Sequence, residues 1–318
     1  MIAAPAEAGY TAPLPRSFDH TMAYTVRRFT WDDVPLLAAS AAAHGPAASA
    51  APPDAVEAMR RWLAQPSMHP ERDCAVALEG GSPVGYGYLV AEEAISRGVL
   101  ILEAAQASWG VLLDAAVAGA RSLGIAVVQV DVAESADALR AFLASAGAAH
   151  VRTHLHLRRD DTTAVGAPLP AGTAIRPAER DDAATLTDIQ NAAFTGSWGY
   201  APNTTEEIAY RVFELPSDPP DRVLLLEEGG RVLAYCWTHR EHAGGPGMID
   251  MVGTAPAEQS RGLGRAVTAA GVDHLVGIGA TPIDITVDAE NPAALRLYER
   301  LGFTVRWRSV WYELAVSG

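Results

Sequence analysis

The sequence repeats itself, and that repeat restricts the fold more than any other feature. Val26-Arg27-Arg28 followed by Asp32-Asp33 returns as Ile175-Arg176-Pro177 followed by Asp181-Asp182, an offset of 149 residues (175 minus 26). The same offset carries Gly80-Gly81, Tyr86 and Tyr88 onto Gly229-Gly230, Tyr235 and Trp237. Farther along, Glu134, Leu139 and Phe142 fall on Glu290, Leu295 and Tyr298; the offset has grown to 156, as modest loop insertions produce. The 318 residues therefore read as one α/β unit used twice, each copy large enough to bury a core. The expected divisions are a disordered arm over 1–21, a first unit over 22–159, a linker over 160–172 and a second unit over 173–318. The arm is rich in Ala and Pro and has no continuous apolar stretch, and the linker carries Gly166 and Pro168.

The second unit can be followed element by element. A strand opens it at 173–177, and Asp181-Asp182 cap a helix carrying Leu186, Ile189 and Phe194. Two strands, 222–227 and 232–238, flank the hairpin turn at Gly229-Gly230. A further strand, Met248-Ile249-Asp250-Met251-Val252-Gly253-Thr254, leads into Gln259-Ser260-Arg261-Gly262-Leu263-Gly264-Arg265 and then a helix with an apolar stripe through Val267, Ala270, Gly271 and Leu275. Ile283, Ile285 and Val287 alternate as a strand; Asn291-Pro292 caps a helix through Leu295 and Tyr298; and Gly302 ends it before a last strand at Phe303, Val305 and Trp307. The strand–loop–helix at 248–265 is the chemical centre. Amides at a helix start have no intrahelical acceptor, and the helix dipole favours an anion there. Gly262 and Gly264 clear side chains from the approach, while the third glycine of a dinucleotide fingerprint and the Lys of a phosphate-loop NTPase are both absent.

These residues resemble the GNAT superfamily of acyltransferases. Its pattern Gln/Arg-x-x-Gly-x-Gly/Ala is matched by Gln259, Gly262 and Gly264, and its pattern Asn-x-x-Ala-x-x-x-Tyr-x-x-x-Gly-Phe by Asn291, Ala294, Tyr298, Gly302 and Phe303. The likeness covers the whole second unit and, weakly, the first. It implies two tandem α/β (α+β mixed) domains, each a mixed, mostly antiparallel sheet flanked by helices. It also implies that Val252, Gly253 and Thr254 line the pantetheine arm of acetyl-coenzyme A, the co-substrate. Gln259, Ser260, Arg261, Gly262, Leu263, Gly264 and Arg265 would cradle its pyrophosphate, and Asn291 would bond it farther along. Tyr298 would lie near the thioester sulfur and protonate the departing thiolate, and the backbone N–H of Val252 would hold the oxyanion. No metal is implied. The two-copy arrangement is similar to a tandem branch of the family, but that branch has Glu where this chain has Met248, Lys at His239 and Tyr at Thr286. Asp250, two residues beyond Met248 and on the same strand face, is the candidate base or amine-binding group, with His239 and Glu241 as alternates.

The first unit carries no such site. Aligning Gln106 with Gln259 puts Trp109 opposite Gly262, Val111 opposite Gly264 and Ser135 opposite Asn291, while Phe142 replaces Tyr298. Composition narrows the partners. A net charge of −14 disfavours nucleic acid and favours a cationic substrate such as an amine. No apolar run is long enough for a membrane span, and Cys74 and Cys236 read as buried residues of a cytoplasmic protein. The expected function is N-acetylation of a small-molecule amine. The alternatives are acetylation of a peptide N-terminus, which needs an open groove, and a non-catalytic acetyl-coenzyme A sensor.

Overall fold

The computed structural model describes residues 24–44, 54–215, 222–240 and 245–316, with side chains in the first of these stretches described to residue 40; the expected arm over 1–21 and Glu241 lie outside the described residues. The first half runs β1 (Tyr24–Arg28), α1 (Val34–His44), α2 (Ala55–Leu63), α3 (Pro70–Asp73), β2 (Cys74–Glu79), β3 (Ser82–Glu92), β4 (Arg97–Ala104), α4 (Trp109–Ser122), β5 (Val127–Ala133), α5 (Asp137–Ser145) and β6 (Ala149–Arg159). The second runs β7 (Thr173–Pro177), α6 (Ala183–Phe194), α7 (Thr205–Ala209), β8 (Val223–Glu228), β9 (Arg231–Arg240), β10 (Gly247–Thr254), α8 (Leu263–Gly277), β11 (Ile283–Asp288), α9 (Pro292–Arg300) and β12 (Thr304–Ala315). No helix among the described residues is long and apolar enough to cross a membrane.

The repeated sequence features do repeated structural work. Arg27 forks onto both carboxylate oxygens of Asp33 at 2.7 and 2.6 Å, and Arg176 onto Asp182 at 2.6 and 2.8 Å, each tying the first strand of its half to the helix that follows. Each guanidinium holds its aspartate below the usual carboxylate range. Gly80-Gly81 and Gly229-Gly230 all have positive φ, between 56° and 87°, the left-handed backbone that a two-residue hairpin requires.

The mixed sheet flanked by helices is as expected, but where two sheets were expected there is one. Twelve strands lie in the order β1-β2-β3-β4-β5-β12-β6-β11-β10-β9-β8-β7. Neighbours are antiparallel except β4–β5 and β10–β11. The two halves exchange their last strands. β12 pairs with β5 from Ser309↔Ala133 to Ala315↔Val127, and β6 pairs with β11 from Ile283↔Arg159 to Asp288↔His154. β6 and β12 then pair with each other at the centre. Repetition in sequence cannot distinguish this from two closed sheets, because the same strand edges are satisfied either way.

On one face of the sheet, α4 and α5 pack on β5 and β12 through Leu113, Leu143, Val130 and Val310, and α8 packs on β6, β9 and β11 through Val267, Leu275, Leu157 and Ile285. On the other, α1 and α2 cover β3 and α6 and α7 cover β8 and β9. The central strands turn a polar and aromatic face to that side: Arg152, His154 and His156 of β6, Thr286 of β11, and Ser309 and Trp311 of β12. The segment 160–172 is fastened to α8, with the amides of Val165 and Gly166 donating to Asp273. Because each half owns a strand that completes the other, urea unfolding should show one cooperative transition, coincident by circular dichroism and tryptophan fluorescence; two separated transitions would contradict shared folding.

Candidate active site

The site begins where two strands part. β10 and β11 pair only over Gly247↔Ile283, Met248↔Asp284 and Ile249↔Ile285, and beyond that point they diverge. At the same place β10 bulges: Ile249 pairs with Thr238 but Met251 with Trp237, leaving Asp250 as the extra residue. The bulge inverts the alternation of side chains. Ile249 belongs to the core beneath α8, whereas Met251 packs beneath α6 and accepts from Gln190 Nε2. Asp250 emerges at the mouth of the gap and its Oδ2 lies 2.7 Å from His239 Nδ1.

A cavity of about 500 Å³ occupies this gap. Of the residues singled out from sequence, it brings together Asp250, Val252, Thr286, Asn291 and Tyr298. Tyr298 is 8% exposed, and burial pushes its hydroxyl well above the ordinary range, so it stays protonated at neutral pH. Asn291 also caps α9, accepting the amide of Ala294 at 3.1 Å, which fixes the helix that carries Tyr298. His239 reaches the site through Asp250, and Met248 pairs beside His239 on the neighbouring strand without lining the cavity.

The loop 259–265 lies at the start of α8. Ser260 (φ 66°) and Gly262 (φ 80°) both take the left-handed conformation, which curls the chain so that successive amides turn to one side. The first helical bond runs from Ala266 to Gly262, so the amides of Leu263, Gly264 and Arg265 precede it. A Cβ on Gly264 would stand 3.3 Å from Thr254 Oγ1, closing the seam between this loop and the end of β10. The glycine at 253 answers to packing, since a Cβ there would fall on the ring of buried Tyr235. Arg261 is held by Glu258 and Glu228, so it offers its amide rather than a free charge, while Arg265 is exposed on the first turn. Gln259 is also exposed.

Sequence reasoning missed half of the cavity wall. Arg152 and His154 arrive on the exchanged strand β6, and Phe194, Trp198 and Tyr200 come from the end of α6 and the segment after it. Arg152 donates to Asp288 at 2.7 Å and to Glu290 at 2.5 Å. The alternation His154-Leu155-His156-Leu157 was the available signal: its polar positions face away from the core. Only the strand exchange puts them here.

In the first half the alignment of Gln106 with Gln259 needs correction. There the short helical turn Gln106–Ser108 runs directly into α4, whereas Pro256–Glu258 is followed by residues 259–262 before α8 begins. Gln106 thus corresponds to Pro256, and the segment that would cradle a pyrophosphate is missing rather than blocked. Trp109 donates to the carbonyl of Ala104 at 2.8 Å and packs against Phe142 with ring centroids 5.6 Å apart.

Residues 183–303 match the acetyltransferase (GNAT) family. This region is a GNAT acetyltransferase domain. Two curated relatives are mycothiol acetyltransferases. That of Pseudarthrobacter chlorophenolicus is 39% identical over 147 residues, which are 44% of this chain and 45% of the relative. That of Thermobispora bispora is 39% identical over 174 residues, 51% and 56% of the two chains. The chain thus spans about half the length of the curated relatives it matches. Two solved structures share the fold along nearly the whole chain. A GCN5-related N-acetyltransferase from Sphaerobacter thermophilus has a TM-score of 0.68 at 20% identity, covering 95% of this chain and 98% of its own. A tandem GNAT protein from the clavulanic acid biosynthesis pathway has 0.68 at 17% identity, covering 93% and 99%.

The floor beside the GNAT domain's cavity carries a polar chain across four strands. Asp131 bonds Ser309, whose Oγ lies 3.0 Å from His156 Nε2; His156 Nδ1 lies 3.1 Å from Thr286 Oγ1, and Trp307 stacks on the imidazole at 3.4 Å. Burial, reinforced by His154, pushes His156 down to about 4. An unfolded His titrates near 6.5, so the contribution of neutral His156 is lost as pH falls from about 6.5 to about 4. The stability margin of wild type over His156→Gln, from urea denaturation, should therefore shrink as pH drops through the histidine window. A margin constant with pH refutes the assignment.

Proposed function

We propose that the GNAT domain moves the acetyl group of acetyl-coenzyme A to the primary amine of a small molecule by direct attack on the thioester. The observation that carries this reading is the meeting of Asp250 and Tyr298 in one cavity at the strand gap, with the amide-rich start of α8 behind it. The loop meets the steric demand of a pyrophosphate: left-handed residues turn its amides outward, and glycines stand where side chains would intrude. Residues 259–265 hold the diphosphate by backbone N–H groups. Val252, Gly253 and Thr254 run beside the pantetheine arm, and Asn291 lies farther along it.

An alkyl ammonium must lose a proton before nitrogen attacks. Asp250 accepts it, and His239, hydrogen-bonded to Asp250 at the cavity mouth, passes it to solvent. The C–N bond then forms while the backbone N–H of Val252 holds the oxyanion. As the C–S bond breaks, Tyr298 gives its proton to the thiolate, whose acid has an ordinary pKa of about 8.5, and the second proton that the attacking nitrogen sheds restores the Tyr298 hydroxyl. The products are an amide, free thiol and one proton. The segment containing Trp198 and Tyr200 walls the acceptor end, which favours a small molecule over a peptide needing an open groove. Asp250 is the cavity carboxylate open to a cation, since Asp288 and Glu290 in the same lining are paired with Arg152.

Acetyl-coenzyme A should raise the melting temperature of the purified protein, and Gly262→Val should abolish that rise, because a β-branched residue resists φ near 80°. With an amine identified by thiol-release screening, Tyr298→Phe should lower kcat about a hundredfold while leaving the acetyl-coenzyme A effect intact. Asp250→Asn should cost a similar factor, which should narrow at alkaline pH where more free amine is present. Full activity in Tyr298→Phe removes the acid from the mechanism.

A further inference from the structure

The segment joining α6 to α7 forms the acceptor wall of the cavity; Asn191 of α6 fastens Tyr200 and Asn203 at its far end, whereas Trp198 meets Arg97, Arg152 and His154 of the other half together with Trp311 of β12. Trp198 is its centre. The Arg152 guanidinium lies 5.6 Å from the indole centroid and that of Arg97 lies 5.9 Å away. His154 meets the indole edge-on at 6.0 Å and Trp311 at 5.4 Å, and Trp311 Nε1 donates to His154 Nδ1 at 3.1 Å. Arg97 belongs to β4 and is 7% exposed; besides facing the indole it donates to the carbonyl of Gly199 and pairs with Glu92. Gly199 has φ 68°, and a Cβ on it would fall on Arg97 Nη1, so the glycine is what allows the guanidinium to reach the backbone.

We propose that the first half sets acceptor specificity by fixing this wall: Arg97 and Arg152 clamp Trp198 and thereby position the surface against which the amine's substituent packs. The proposal rests on reading the cavity as the acceptor site. Trp198 contacts the acceptor, and Arg97 is a positioning residue acting through it. Arg152 also bonds Asp288 and Glu290, just ahead of the Asn291 cap of α9, so one guanidinium spans the acceptor wall and the helix carrying Tyr298. This gives a half without a pyrophosphate loop a function in the reaction.

Two measurements test it. Hydrogen exchange needs no acceptor: amides 195–203 should exchange faster in Gly199→Ala and in Arg97→Met than in wild type, with β8 and β9 unchanged. Arg97→Met also unpairs Glu92 and risks misfolding, whereas Gly199→Ala removes neither member of that ion pair and stands as the independent variant. Unchanged exchange in a folded variant overturns the clamp, even if no acceptor is ever found. With an acceptor in hand, Trp198→Leu should raise its KM about tenfold or more with kcat within about threefold and acetyl-coenzyme A affinity unaltered. Trp198→Phe, which keeps an aromatic face for the guanidinia, should recover most of that loss. An unaltered KM in Trp198→Leu, or equal losses in KM, kcat and acetyl-coenzyme A affinity, overturns the specificity role. If wild type releases no thiol with any amine, it is the acceptor-site reading that fails, and the exchange result still decides the clamp.

Discussion

The pairing of β6 with β12 is the constraint on which the rest depends. Each of these strands closes a sheet begun by the other half, and together they convert two α/β repeats into one twelve-stranded surface. The backbone donors and acceptors of β5 and β11, which would otherwise be bare edges, are met by the opposite half. Alternation along β6 then decides what the join presents. Leu155 and Leu157 enter the core under α8, and Arg152, His154 and His156 face the cavity side. A pairing that serves stability therefore also brings Arg152 and His154 of the first half into the cavity wall.

Against that continuous sheet, the gap between β10 and β11 is a local and necessary break. Three pairs of residues join the strands before they part, and the bulge at Asp250 falls where the ladder ends. An extra residue there puts a carboxylate at the mouth while keeping Ile249 and Val252 against the core below. The first half has the same parting, since β4 and β5 pair only from Arg97↔Val127 to Val99↔Gln129. What differs is the filling. Trp109 and Phe142 pack together near that point, and no residues intervene between the helical turn and α4. The opening is thus a property of the fold, and the chemistry is a property of the few residues placed in it.

How much of this was legible in the sequence follows from the range of each interaction. The hairpin glycines, the Asn291 cap and the loop at 259–265 are local: their backbone angles and orphan amides are set by residues a few positions apart, so spacing reveals them. Placing Asp250 on the Met248 side of the strand relied on simple alternation, which said nothing of the bulge that inverts Met251. The alignment of Gln106 with Gln259 failed because matching one residue type ignored a missing loop. Trp198 was invisible for a different reason. Between Gly196 and Gly199 it has no periodic context, and its partners Arg97, Arg152 and Trp311 lie from 46 to 113 positions away. Chain topology brings them together, and no window of sequence contains it.

All 24 residues of the Lys and Arg types in this chain are arginine, and at these junctions that choice has a physical consequence. Arg152 acts at once as a carboxylate donor to Asp288 and Glu290 and as a planar cation over Trp198. Arg97 pairs with Glu92, reaches the carbonyl of Gly199 and faces the same indole. A guanidinium can do several of these things together because its five donors lie in a plane whose faces remain free to stack. An ammonium is a compact, strongly hydrated point charge and must give up part of one role to serve another. Substituting Lys at either position keeps the charge but removes the geometry, so what joins the two halves around Trp198 is shape as much as electrostatics. The first half keeps its fold without a counterpart of residues 259–262, but the strands that carry Arg97 and Arg152 are what bring those guanidinia to Trp198.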